Sequence, residues 1–131
     1  MKKSNVETRH FEGTFAVAGA NKKPAIVVPL LPKDGAWTIT GQVVAVDEAN
    51  PRHSVTFFPR FTGVCASGVV TENNTGPIAM QPKDGGKAQA WEPGGLFPII
   101  TGSRLEVAVG GIEGKTLLWA WSLDLVVVSL T

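Results

Sequence analysis

Cysteine is nearly absent from this chain of 131 residues: Cys65 stands alone. A single thiol closes no intramolecular disulfide, so no covalent framework holds the fold. Cys65 lies between Val64 and Ala66, the surroundings of a small buried hydrophobe and not of a reactive thiol. Charge is sparse as well. Charged residues make up 18% of the chain, against about 25% in an ordinary soluble domain. Twelve basic residues offset 11 acidic ones, for a net charge of +1. Lys2-Lys3 and Lys22-Lys23 are isolated pairs, so no basic stripe marks a nucleic-acid footprint. A surface poor in charge is expected of a protein that lies against a partner.

Long apolar runs are missing too. The longest, residues 25–31, falls far short of the roughly 20 residues a membrane span needs. Lys2-Lys3 is followed by Glu7, Arg9, His10 and Glu12 and not by the apolar core of a secretory signal. The expectation is a soluble protein made in the cytoplasm with no membrane contact. Helical periodicity is absent: 15 Gly and nine Pro punctuate the chain, and no stretch of ten residues repeats apolar positions at i, i+3, i+4, i+7 without a breaker.

What is present is strand signal. Leu105, Val107 and Val109 alternate with Arg104, Glu106 and Ala108, the period-two pattern of a half-buried strand. Leu117, Trp119, Trp121, Leu123, Leu125 and Val127 share one face of a second, longer strand. With Gly110 to Lys115 as a turn, these two read as a β-hairpin. Residues 37–46 form the cleanest strand of the first half, with Trp37, Ile39, Gly41, Val43 and Ala45 in one row. Residues 54–64 follow as its antiparallel partner, and Pro59 marks a bulge or an edge. Residues 25–31 are apolar but broken by Pro29, which confines them to a sheet edge or to a segment laid across something else. Two P-K-D-G tracts, from Pro32 and from Pro82, are turns of shared chemistry. The polar residues 1–13 read as a mobile arm or an early edge strand. The length fits one domain. The expected architecture is all-β, a single antiparallel β-sandwich or jelly-roll-like domain over residues 32–131, with an extended N-terminal arm and edge segment over 1–31.

Candidate chemistry is thin. Gly110-Gly111-Ile112-Glu113-Gly114-Lys115-Thr116 approaches a phosphate loop, but that loop needs four residues between its glycines and a helix after it. Gly110 leaves three, Gly111 leaves two, and a strand pattern follows. His10, His53 and Cys65 are isolated from one another, so no metal set is read, and both histidines, beside Arg9 and Arg52, read as surface residues. Asp47-Glu48 reads as solvated turn charge. No nucleophile–base motif occurs. Asn73-Asn74-Thr75 matches the glycosylation acceptor pattern, but a chain without a secretory signal gives it no weight. No catalytic residue, cofactor or metal is assigned. Trp119 and Trp121 read as core because their row is apolar. Trp37 and Trp91 read as core anchors or as partner contacts.

The segment G-S-R-L-E-V-A-V-G-G-I-E-G-K-T-L-L-W-A-W-S-L-D-L-V-V-V is similar to a module of tailed-bacteriophage virion proteins, in which a strand L-x-V-x-V-x-G leads through G-K-T to a strand with a central Trp. The W-x-x-x-G-x-V-V-A element of residues 37–45, the strand after it, and Ala90-Trp91 add to the resemblance, which covers scattered positions over about residues 36–128. The resemblance implies no catalytic residues. It implies a structural component of a phage particle, located in the virion: a capsid decoration or cement protein, or else a tail or baseplate subunit. A carbohydrate- or receptor-binding module using Trp37 or Trp91 is the competing class. The expected partners are other virion proteins, the major capsid protein or tail subunits, with self-association as a trimer or dimer. The candidate partner contacts are Phe11, Phe15, Ile26, Val28, Trp37 and Trp91.

Overall fold

Two long strands from opposite ends of the chain set the architecture. In the computed structural model, which describes residues 4–28, 34–73, 78–80, 83–84, 87–88, 96–101 and 104–130, the elements are β1 (Ser4–Ala18), β2 (Lys22–Val28), β3 (Gly35–Asp47), β4 (Asn50–Phe58), β5 (Arg60–Ala66), β6 (Val69–Glu72), β7 (Ile78–Met80), β8 (Lys83–Asp84), β9 (Lys87–Ala88), β10 (Leu96–Thr101), β11 (Arg104–Gly110) and β12 (Thr116–Leu130). No helix occurs among the described residues. The glycines and prolines that interrupt every helical window account for that. The strands form antiparallel sheets that pack as a β-sandwich.

The larger sheet runs β1-β12-β3-β4-β7, with β5 on β3 and β6 on β5. The smaller runs β10-β11-β2. β8 and β9, at the second P-K-D-G tract, pair only with each other among the described residues.

The expected hairpin of β11 with β12 does not form. β12 lies between β1 and β3, while β11 lies between β10 and β2 in the other sheet. The Gly110–Lys115 stretch is therefore a corner between sheets. A matching corner, Gly19 to Asn21, joins β1 to β2. At that point Gly19 N donates to Lys115 O (2.9 Å) and Gly111 N donates to Asn21 O (2.8 Å). One two-stranded ribbon thus runs from Ser4↔Leu130 to Ala18↔Thr116, turns the corner, and continues from Lys22↔Gly110 to Val28↔Leu105. Glycine is needed here because the two corner segments approach so closely: a Cβ on Gly111 would lie 1.9 Å from Gly19 O. Period-two alternation reveals that a strand has one buried face and carries no information on which strand lies beside it.

Residues 4–18 are an edge strand of the large sheet, the second of the two readings for the N-terminal segment. β2 ends before Pro29 and is an edge of the small sheet, as the proline suggested.

The predicted pairing of the 37–46 strand holds, with its partner broken in two. Val43↔Phe57 and Thr40↔Arg60 flank Pro59 in one continuous register. Pro59 has no N–H to donate, and there the strand divides into β4, which goes on to pair β7, and β5, which pairs β6. The β5–β6 turn is tight, with Ser67 and Gly68 both at positive φ (52° and 79°), as two-residue hairpin loops require.

The core lies between the sheets. The odd-numbered row of β12 and that of β3 supply Leu117, Trp119, Leu123, Leu125, Trp37, Ile39, Val43 and Ala45. Leu105, Val107 and Val109 come from the small sheet, and Ile112 from the corner. Trp119 is fully buried and stacks on Phe57 with ring centroids 6.1 Å apart. Cys65 is buried as expected, and burial, then the nearby Asp34 charge, pushes its thiol pKa up.

Candidate interaction surface

The large sheet turns outward the even-numbered residues of β1, β12, β3, β4 and β5, and Val69 of β6, and there the alternation of apolar and polar fails. Across four adjacent strands, Val6 lies opposite Val128, Val128 opposite Ala36, and Ala36 opposite Val64. Val6 is 63% exposed and Val64 42%. Leu130, Val126 and Val69 extend the row on the same end of the molecule. Val64, Val128 and Leu130, with Ala36 and Ala66, line a shallow depression rimmed by Asp34 and Ser67. Asp34 fixes this rim: its Oδ1 accepts from Ser67 N at 2.9 Å and its carbonyl accepts from Leu130 N at 2.9 Å. Scattered exposed apolar residues are ordinary. A row of direct cross-strand neighbours is a contiguous patch of the kind that marks an interaction site.

A polar belt crosses the middle of the same face. His10 lies opposite Asp124, and Asp124 opposite Thr40. His10 Nδ1 is 2.6 Å from Asp124 Oδ1, and Nε2 is 2.8 Å from Glu12 Oε1. Hydrogen bonds to Asp124 first and Glu12 second raise the His10 pKa, because the protonated ring can donate to both carboxylates. Beyond the belt, Val44 and Leu118 are each 42% exposed.

The structure distributes the six candidate contacts differently from one another. Phe11 and Phe15 lie on the inner row of β1, half-buried against the core beside the half-buried Trp121. The Phe15 and Trp121 rings are 4.7 Å apart at centroid, and Lys23 Nζ sits 4.3 Å over the Phe15 ring. Ile26 and Val28 are positions of β2, paired with Val107 and Leu105, and their side chains lie outside the described residues, as does Trp91. Trp37 is a correction: at 2% exposure it is a core anchor, and neither a protein nor a glycan can stack on it in this fold. Its row on β3 faces the small sheet, so the aromatic ring serves packing.

A second cluster was not legible in the sequence. Asp47 and His53 were expected to be solvated; both are buried, at 3% and 9% exposure. Asp47 Oδ2 accepts from Lys115 Nζ at 2.9 Å and lies 3.4 Å from His53 Nδ1, and Oδ1 accepts from Ala49 N at 2.9 Å. Lys115 first, and then the Ala49 amide, hold the Asp47 carboxyl down at about 2. The cluster ties the β11–β12 corner to the β3–β4 turn. A carboxylate so strongly held in its ionised form is a weak general base at neutral pH. The signal that could have revealed it is position: Asp47 continues the buried row Val43, Ala45 by one step.

Among the described residues no group of three or more His, Cys, Asp or Glu is placed to hold a metal ion. Among the described residues no helix is long and apolar enough to cross a membrane. Comparison of the chain with protein-family models, with curated proteins and with solved structures gave no significant match.

Proposed function

We propose that this chain is a structural subunit of an ordered protein assembly, docking on its neighbour through the apolar end of the outer face of the large sheet. In the form favoured by the sequence resemblance, it is a decoration or cement protein of a bacteriophage capsid, stabilising the shell by binding neighbouring subunits. The observation that carries the reading is the apolar row Val6, Val128, Ala36 and Val64 across four strands. A rigid sheet presents this row without any ordering cost at the moment of binding, which favours a flat apolar surface on the partner. Many copies on a lattice make such modest contacts additive. The low overall charge fits a surface that spends its life covered.

The test is co-sedimentation with purified phage capsids, using the full chain and a Val64→Lys, Val128→Lys double variant. Both valines are exposed, so the variant should fold. The expected result is capsid binding by the parent and loss of about tenfold or more in affinity by the variant, since placing two ammonium groups in an apolar contact is costly. Undiminished binding by the variant rejects the surface. A protein that ignores capsids rejects the decoration role and moves the assembly to the tail or baseplate.

A further inference from the structure

The two margins of the large sheet are built differently. On one side the last strands among the described residues are short, β6 of four residues and β7 of three. On the other the sheet closes with β1, 15 residues in unbroken register with β12 and paired with no other strand among the described residues. Soluble proteins blunt an open edge with short strands, prolines, bulges or charged side chains, and of these β1 carries only charges, Glu7, Arg9, His10 and Glu12. β1 has no proline and its ladder has no register shift. At about 3.3 Å per residue it offers an edge of about 50 Å.

The direction of its backbone groups follows from the corner. Gly19 N donates to Lys115 O, one step past the Ala18↔Thr116 pair. Antiparallel ladders alternate, so the odd-numbered residues of β1 bond to β12, and the even-numbered ones turn their N–H and C=O groups away from the sheet. These even-numbered residues are the rungs available to a further strand.

We infer that the strand which pairs with this edge is β1 of a second copy of the chain, antiparallel about a two-fold axis at Phe11, so that two large sheets join into one. Three observations select this occupant and register. Phe11 is the midpoint of the described strand Ser4–Ala18, so this axis pairs every one of its described residues. It sets His10 opposite the partner's Glu12 and Glu12 opposite the partner's His10, in the positions that exchange backbone hydrogen bonds, with opposite charges facing each other. Moving the axis by one residue puts His10 on the partner's His10 or Glu12 on the partner's Glu12, pairing like charges. The inner face agrees. Arg9 meets the partner's Gly13, the position over which the half-buried Trp121 indole lies in each copy: a Cβ there would be 2.4 Å from Trp121 Cζ2. A guanidinium beside that ring is a favourable cation–π contact. Glu7 meets the partner's Phe15, and Phe11 meets the partner's Phe11, which covers aromatic surface that a single copy leaves half-exposed. The joint is isologous and closes as a dimer. It uses a backbone edge and not the apolar row of the outer face, so either proposal can fail alone.

The experiment is light scattering on the purified full chain through a dilution series, alone in solution, with the parent and Thr8→Pro. Thr8 is even-numbered, so proline there removes an outward donor and leaves the β12 ladder intact. The expected result is a dimeric parent and a Thr8→Pro variant with native circular dichroism whose dissociation constant rises by about tenfold or more. Register is read by cysteine trapping. In the proposed pairing Phe11 faces itself at a non-hydrogen-bonded site, where Cα atoms lie about 4.5 Å apart, within disulfide reach. Phe11→Cys should oxidise to a covalent dimer, and Glu7→Cys, which faces the partner's Phe15, should not. A monomeric parent at every concentration overturns the inference. So does a dimer that Thr8→Pro leaves intact, or equal trapping at positions 7 and 11.

Discussion

Replacing Gly41 by alanine tests the central stack of the large sheet more sharply than any truncation. Gly41 stands opposite Leu123 of β12, at the level where Pro59 divides β4 from β5. Its φ is +143°, a conformation that side-chain-bearing residues rarely adopt, and holding one there costs about 1–3 kcal/mol. The added Cβ would lie 2.2 Å from Ser122 O and 2.9 Å from Leu123 Cα. Both are backbone atoms of the longest central strand, so no side-chain rotation relieves the contact, and forcing β12 away adds overpacking of about 1–3 kcal/mol. The expected loss is about 4 kcal/mol, a large share of the 5–15 kcal/mol that stabilises an ordinary domain. The transition should fall by roughly 10–20 °C for a chain of this size. Urea denaturation followed by tryptophan fluorescence measures it, with an unchanged slope confirming that the midpoint reports stability. Gly68→Ala is the control: φ there is also positive, at 79°, but nothing lies within 4 Å of the added carbon, so only a conformational cost of about 1–2 kcal/mol remains. If Gly41→Ala costs no more than Gly68→Ala, the close approach of β3 and β12 is not a constraint and the reasoning fails.

Two further outcomes follow from the core and from the corner. Trp119→Ala should cost about 3–5 kcal/mol, because a fully buried indole stacked on Phe57 leaves a cavity the sheets cannot close; an unchanged melting temperature would remove Trp119 from the core. Asp47→Asn should lower the melting temperature at neutral pH and lose its effect in acid. The folded pKa of about 2 is below the ordinary carboxylate value, so the stabilisation is full above that ordinary value and disappears as pH falls through about 2. A difference between the parent and Asp47→Asn that persists unchanged at pH 2 would show that the Lys115 contact is not the source.

How much of this was legible in the sequence depends on whether the information is local. The rows Trp37, Ile39, Gly41, Val43, Ala45 and Leu117 to Val127 announced themselves, because each strand has one dry face along most of its length. β1 did not, and the reason is in its inner row: Asn5, Glu7 and Arg9 occupy the positions that Phe11, Phe15 and Val17 occupy further on. Near Ser4 the inner face is solvated, as the exposed ion pair of Arg9 Nε with Glu7 shows, so polar residues are tolerated there and the alternation disappears. Asp47 was misread for the converse reason. Its neighbours Glu48 and Asn50 are turn-like, yet the strand's row carries Asp47 beneath Leu117, where Lys115 from a distant corner neutralises it. Pairing was the least legible feature. β11 and β12 are joined by a short Gly-rich link and each alternates, which is the usual description of a hairpin, and the same pattern is produced when a ribbon turns between two sheets. What separates the cases is the other strand of the ribbon, roughly ninety residues away at Gly19 to Asn21. A corner in one strand of the ribbon needs a corner beside it in the other strand, and the close approach of Gly111 to Gly19 is the trace that requirement leaves in the sequence.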